Sequence, residues 1–137
     1  MAFTFSEAHS AVIKSGDEDQ LSSLLDSFSV SMVKKDKIWM GANIADACLM
    51  YDPSGITLDK PGIIKTFSEG IYNISKASVS NKVFKVAGAD ANGSAEFIVE
   101  GIGNINGDSF SLNGNYKFSV KFSKSDKGWQ ISEVLIN

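Results

Sequence analysis

Few residues in this chain have side chains suited to chemistry. Asp52 stands directly before Pro53-Ser54-Gly55, a carboxylate held at a turn. In an apolar pocket such a group is a general base, because desolvation raises its affinity for a proton. As a turn residue it would instead use its oxygens to cap nearby backbone amides. The sequence leaves both roles open, and the first needs a polar partner. Tyr72, Tyr116 and Glu133 are the candidates. Cys48 is the only cysteine and His9 the only histidine. An intramolecular disulfide, a cysteine-based metal site, a Ser-His-Asp or Cys-His pair and a multi-histidine zinc site are therefore all outside the chain's means. Cys48 is expected to be a small buried hydrophobe, His9 to be solvated, and no cofactor or metal is expected.

The chain has 137 residues, 13 basic and 16 acidic, with a net charge of −3. All the basic residues are lysine, so bidentate arginine clamps for phosphate or carboxylate are missing. The negative balance gives no electrostatic footprint for nucleic acid. No stretch approaches the roughly 18 apolar residues of a membrane span, and the N-terminus lacks a signal-peptide pattern. The expectation is a cytoplasmic protein without membrane or nucleic-acid partners. The sequons Asn73-Ile74-Ser75 and Asn92-Gly93-Ser94 are then chance matches. Length and composition point to one domain over residues 17–137, with residues 1–16 an arm or short helix.

The first half reads as helices. Ser15-Gly16-Asp17-Glu18 has capping-box spacing, and a helix to about Lys34 follows with Leu21, Leu24, Leu25, Phe28 and Met32 on one face. Asp36 caps a short helix carrying Ile38, Trp39, Met40 and Ile44. Cys48–Tyr51 and Ile56–Leu58 are short strands. Asp59 caps a third helix with Pro61 in its first turn and an apolar stripe of Ile63, Ile64, Phe67, Ile71 and Ile74.

The second half reads as an antiparallel meander of four strands. Asn92-Gly93 and Asn106-Gly107 are two-residue hairpin signals, and Asp126-Lys127-Gly128 is a three-residue one. Centring on Asn106-Gly107 sets Phe97 opposite Tyr116, Ala95 opposite Phe118 and Glu96 opposite Lys117. Centring on Asn92-Gly93 sets Val86 opposite Val99 and Lys85 opposite Glu100. Phe84, Val86, Phe97, Val99, Leu112, Tyr116, Phe118, Val120 and Phe122 then share one face, and lysines and glutamates pair on the other. Gly101 and Gly103 within a strand predict a bulge or bend. The order is α+β: helices packed on one face of a curved antiparallel sheet, with one or two extra short strands.

Glu133 turns on the last hairpin. With Gly128 in a bulge position, Glu133 faces Lys121 outside; with a symmetric loop it faces Val120 inside. Asp-Lys-Gly favours the bulge. That reading sends Ser132, Val134 and Ile136 inward, and Trp129, Ile131 and Leu135 outward. Ile98, Ile102, Trp129, Ile131 and Leu135 then lie among charge pairs on the outer face, which predicts a homodimer through that face.

Element order, Lys35-Asp36 closing the first long helix, Met50-Tyr51-Asp52-Pro53-Ser54-Gly55 and Gly128-Trp129-Gln130-Ile131 together resemble the nuclear-transport-factor-2-like superfamily, the cystatin-like cone. That superfamily includes ketosteroid isomerases and polyketide-cyclase-like proteins. The resemblance spans about Asp17 to Ile136. Asp52-Pro53-Ser54-Gly55 is similar to the segment carrying the isomerases' general-base aspartate. The resemblance places Phe28 and Phe118 where that family has its two oxyanion donors, and losing even one typically costs about 10²–10³ in rate. It therefore implies the cone without that isomerisation.

Three functions follow as expectations. The first is a small-molecule binding protein whose cone holds an apolar ligand, lined by Phe28, Met32, Trp39, Phe67, Ile71, Phe84, Phe97, Val99, Tyr116 and Phe118. The second is an enzyme (isomerase, cyclase or dehydratase) with Asp52 as acid/base. The third is a dimeric interaction module. A cavity of about 300 Å³ or more with Asp52 at its wall would favour the first two, and a filled core the third.

Overall fold

Aspartate side chains fix where the two short helices begin. The computed structural model describes residues 2–137, with side chains from residue 16 onward. The elements are α1 (Ala2–Lys34), α2 (Lys37–Asn43), β1 (Ile44–Tyr51), β2 (Thr57–Asp59), α3 (Lys60–Ser68), β3 (Tyr72–Ala87), β4 (Asp90–Ile105), β5 (Asp108–Ser111), β6 (Gly114–Ser125) and β7 (Gly128–Ile136). α1 is continuous through Ser15–Glu18, so those residues do not open a helix. The side chain of His9 lies outside the described residues. α1 ends with Lys35 at φ 56°, and Asp36 N–H donates back to Ser31 O at 3.0 Å. This is a Schellman end with lysine in the position glycine usually takes. The Asp36 carboxylate accepts from Trp39 N–H and that of Asp59 from Gly62 N–H, both at 3.0 Å, as the capping pattern requires. α3 stops at Ser68, earlier than the apolar stripe suggested. Ile71 falls in the connection and Ile74 in β3, where it is still buried.

The strands form one mixed sheet in the order β2-β1-β7-β6-β4-β3, with β5 added to β4. The meander is antiparallel, but β1 runs parallel to β7. Helices cover one face, and Leu21, Leu25 and Phe28 of α1 share a buried cluster with Phe97, Phe122 and Ile131 of the sheet. This is the expected α+β cone, with the sheet widened by β1 and β2. No helix among the described residues is long and apolar enough to cross a membrane.

The Asn106-Gly107 hairpin has the expected register. Phe97 faces Tyr116, Ala95 faces Phe118 and Glu96 faces Lys117. Both turn residues have positive φ, 53° and 85°. The returning strand breaks into β5 and β6 at Leu112-Asn113, where Asn113 Oδ1 accepts from Gly101 N–H at 2.9 Å.

The preceding hairpin turns elsewhere. β3 and β4 join at Gly88-Ala89, with Val86 opposite Ala91 and Lys85 opposite Asn92, so the expected Val86–Val99 and Lys85–Glu100 pairs do not form. Gly88 at φ 65° supplies the positive φ that a Gly-X hairpin needs at its first turn position. Gly93 lies mid-strand, where a Cβ would come 2.8 Å from the Phe84 ring. The partner of Val86 moves from residue 99 to residue 91, an even shift, so Phe84 and Val86 keep the inward face assigned to them. A bulge between Ser80 and Val83 then changes parity, bringing Val79 opposite Phe97 and Ala77 opposite Val99.

The last hairpin does not take the expected bulged register: it closes symmetrically on Asp126-Lys127, with Lys124 opposite Trp129. Gly128 takes φ 87° opposite Ser125, and Lys121 faces Glu133 with a 3.2 Å ion pair. The single irregularity, between Lys121 and Phe122, leaves Ser132 as the extra residue and is what brings Glu133 opposite Lys121. Ile131 lies opposite Phe122, and Trp129 opposite Lys124. Trp129 and Ile131 are therefore core residues, 6% and 0% exposed, and not outward-facing as a bulge at Gly128 would have made them. The Trp129 indole N–H donates to Asp17 Oδ1 at 3.3 Å, joining β7 to α1.

Candidate functional site

Asp52 follows the last residue of β1 and is locked by its own turn. Its backbone N–H donates to Ile56 O at 2.9 Å, and its carbonyl accepts from Gly55 N–H at 3.0 Å. Oδ1 accepts from Ser54 N–H at 3.0 Å and from the Ser54 hydroxyl at 3.1 Å. These are the contacts of a turn former. The other oxygen does something different: Oδ2 accepts from the Tyr72 hydroxyl at 3.0 Å. Tyr72 opens β3, and its ring is held edge-on between Phe67 (5.6 Å, 80°) and Phe110 (6.2 Å, 86°). Burial, and then the neighbouring Asp52 charge, pushes the Tyr72 hydroxyl up to about 12. It remains a protonated donor at any physiological pH.

The pair sits in the wall of a cavity of about 400 Å³. Met32 of α1, Phe67 of α3, Ile74 and Val99 of the sheet, Phe118 and Ile136 form its apolar lining. Ile56, Ile105 and Phe110 also line it and remain partly exposed, so they form its rim. Tyr116 contributes a ring, but its hydroxyl is committed to Leu112 O at 2.7 Å. Phe118 lies flat on Phe97, centroids 4.0 Å apart, and lines the cavity with an aromatic side chain. Asp52 is the only carboxylate in the lining, which holds no lysine.

Of the cavity residues expected from sequence, Met32, Phe67, Val99, Tyr116 and Phe118 line it, as does Asp52. Phe28 and Phe97 are wholly buried behind it. Trp39 stacks on Phe28 at 6.1 Å and faces a separate groove on the helical side. Ile71 lies beyond α3 and offers only its carbonyl, to Asn104 N–H at 2.7 Å. Phe84 packs on Phe122 at the far end of the sheet. Of the three proposed partners for Asp52, Tyr72 meets it, while Tyr116 and Glu133 bond elsewhere. Ile56, Ile74, Ile105, Phe110, Ser111, Leu112 and Ile136 also line the cavity and were not expected there from the sequence. The tight Asn106-Gly107 turn was the available signal, since it folds Phe110 back over Gly103 into the rim.

Cys48 is buried in β1, and desolvation, then the Glu133 charge, pushes its thiol up to about 11. On the outer face Glu96 accepts from Asn115 at 2.9 Å and from Asn81, which holds its carboxyl below the usual range. Ile98, Ile102, Leu135 and Val83 are exposed on that same face.

No protein-family model matches the chain, and no curated protein matches it by sequence. Solved structures do match. A nuclear-transport-factor-2-like protein from Cytophaga hutchinsonii superposes with a TM-score of 0.78 at 15% identity, over 87% of this chain and 95% of that one. A superfamily protein from Salmonella enterica serovar Typhimurium gives 0.72 at 16%, over 90% and 92%. A protein with a cystatin-like fold from Novosphingobium aromaticivorans gives 0.73 at 10%, over 96% and 87%. The chain has the nuclear-transport-factor-2-like fold. In this nuclear-transport-factor-2-like cone the cavity lies between the helices and the concave sheet, with Asp52 and Tyr72 as its polar end.

Proposed function

We propose that the chain binds an apolar small molecule in the cone. The observation that carries this reading is the cavity of about 400 Å³, lined mostly by apolar and aromatic side chains, with the Asp52–Tyr72 pair in its wall. Ligand sites are commonly concave and apolar, with a few polar groups to fix orientation. Methyl-labelled methionine tests it. Met32 lines the cavity, whereas Met40 and Met50 are buried and do not. Titration with 2-naphthol should shift the Met32 methyl signal and leave the other two in place. Shifts at all three, or at none, would count against a ligand in the cone.

The reading of Asp52 as an acid/base group draws on the Tyr72 hydrogen bond. Ketosteroid-type isomerisation is disfavoured, because Phe28 and Phe118 cannot donate to a developing oxyanion. Turnover of a β,γ-unsaturated ketosteroid that disappears in Asp52→Asn would reverse this. We also assign a homodimer to the outer sheet face, supported by Val83, Ile98, Ile102 and Leu135 exposed among charged residues.

A further inference from the structure

The cavity wall has an electrostatic sign. Asp52 is its only carboxylate, and no lysine stands in the lining to neutralise it. Among the described residues Asp52 makes no salt bridge. A carboxylate offers about four acceptor positions. Three are filled, two on Oδ1 by Ser54 and one on Oδ2 by Tyr72. A position on Oδ2 remains. The Tyr72 oxygen, having spent its proton on Asp52, presents its own lone pairs 3.0 Å away. Two acceptors thus converge at one spot, in a cavity that Phe67, Tyr72 and Phe110 also line.

We infer that the ligand of this cavity is a hydrophobic amine, its ammonium seated on Asp52 Oδ2 and the Tyr72 oxygen and its apolar body against Met32, Val99 and Phe118. The inference rests on the cavity reading above. An ammonium carries three donors and a full charge, so it can satisfy both acceptors. A hydroxyl carries one donor and no charge. An apolar acid would bring its carboxylate against Asp52 with no cation between them, and like charges at such a distance repel.

Three ligands with one ring system separate the possibilities: 1-naphthylmethylamine, 1-naphthylmethanol and 1-naphthoic acid, each read from the Met32 methyl shift. The amine should bind at least about tenfold tighter than the alcohol, the gain expected of a charge-assisted hydrogen bond, and the acid weakest. Asp52→Asn keeps the Oδ1 contacts to Ser54 and should remove the amine's advantage while leaving the alcohol's affinity within about threefold. Tyr72→Phe should weaken the amine by a smaller factor. The series on the native chain decides the matter even if a variant fails to fold. Equal binding by all three overturns the amine and leaves the cavity reading standing. An acid that binds as tightly as the amine, or an amine preference that survives in Asp52→Asn, also overturns it. Met32 unmoved by all three overturns both readings.

Discussion

Tyr72 and Asp52 meet across twenty residues of chain, hydroxyl to carboxylate at 3.0 Å. The contact ties the start of β3 to the end of β1, two strands that do not pair in the sheet. Removing it should therefore loosen the cavity wall without touching the sheet's ladders. Tyr72→Phe is expected to lower unfolding stability in urea by about 1.5–3 kcal/mol, the scale of a hydrogen bond to a charged acceptor. A loss of a few tenths or less would mean that water replaces the tyrosine at no cost.

Two raised groups set the alkaline limit. Cys48 is held up to about 11 and Tyr72 up to about 12, against ordinary values of 9.0 and 10.0. Above pH 9 the unfolded chain releases protons that the native chain keeps, so stability is complete below that pH and falls as pH rises through 11 and 12. Denaturant midpoints should drop steadily from about pH 9 upward, and Cys48→Ala should flatten the first part of that fall. The same burial should make Cys48 inert toward thiol reagents near neutral pH unless the chain is unfolded.

Gly101 and Gly103 resist substitution for different reasons. A Cβ on Gly101 would stand 2.5 Å from Asn73 O, which is backbone in the neighbouring strand. One on Gly103 would meet only the outer edge of the Phe110 ring, a side chain on the cavity rim that can swing away. Gly101→Ala should cost about 2 kcal/mol or more, comparable to overpacking in a core. Gly103→Ala should cost less and should instead alter ligand affinity by displacing Phe110. Equal losses in the two variants would refute the distinction.

The outer face predicts the oligomeric state. Light scattering at micromolar concentration should give about twice the mass of one chain, and Ile102→Glu, at a side chain 54% exposed, should halve it without unfolding. A monomer in the native chain would end the proposal. Trp129→Glu is a different experiment, since Trp129 lies in the core, and it should unfold the chain outright.

Most of the fold was readable because local chemistry and tertiary packing agree. Asp36 and Asp59 cap the helices they precede, and the Asn106-Gly107 register holds from Ile105–Asp108 through Asn92–Lys121. The misplaced turn at Asn92-Gly93 shows a tertiary override. An Asn-Gly pair is also a place where a strand can let a ring lie flat, and Phe84 uses Gly93 for that purpose. Trp129 and Ile131 were misassigned because a bulge changes parity without leaving a residue signature, and nothing about Ser132 announces one. At the site, Asp52 and half of its apolar surroundings could be named. Tyr72 was one of three candidate partners, and the choice among them could not be made, because it depends on how β1 and β3 approach in space.

The parallel pairing of β1 with β7 has a consequence for how the chain is assembled. β1 is an early strand in sequence, yet one of its two neighbours is the last strand in chain order. Until β7 arrives, β1 and β6 each present an unpaired edge to the surroundings, and Asp17 lacks its indole partner. During synthesis the cone therefore stays open, and its apolar interior is a hazard for neighbouring chains and a reason to engage a chaperone. A fragment ending at Lys127 should aggregate through those edges. A soluble, monomeric fragment with protected amides in β4 and β6 would show instead that the meander closes before its final strand is made.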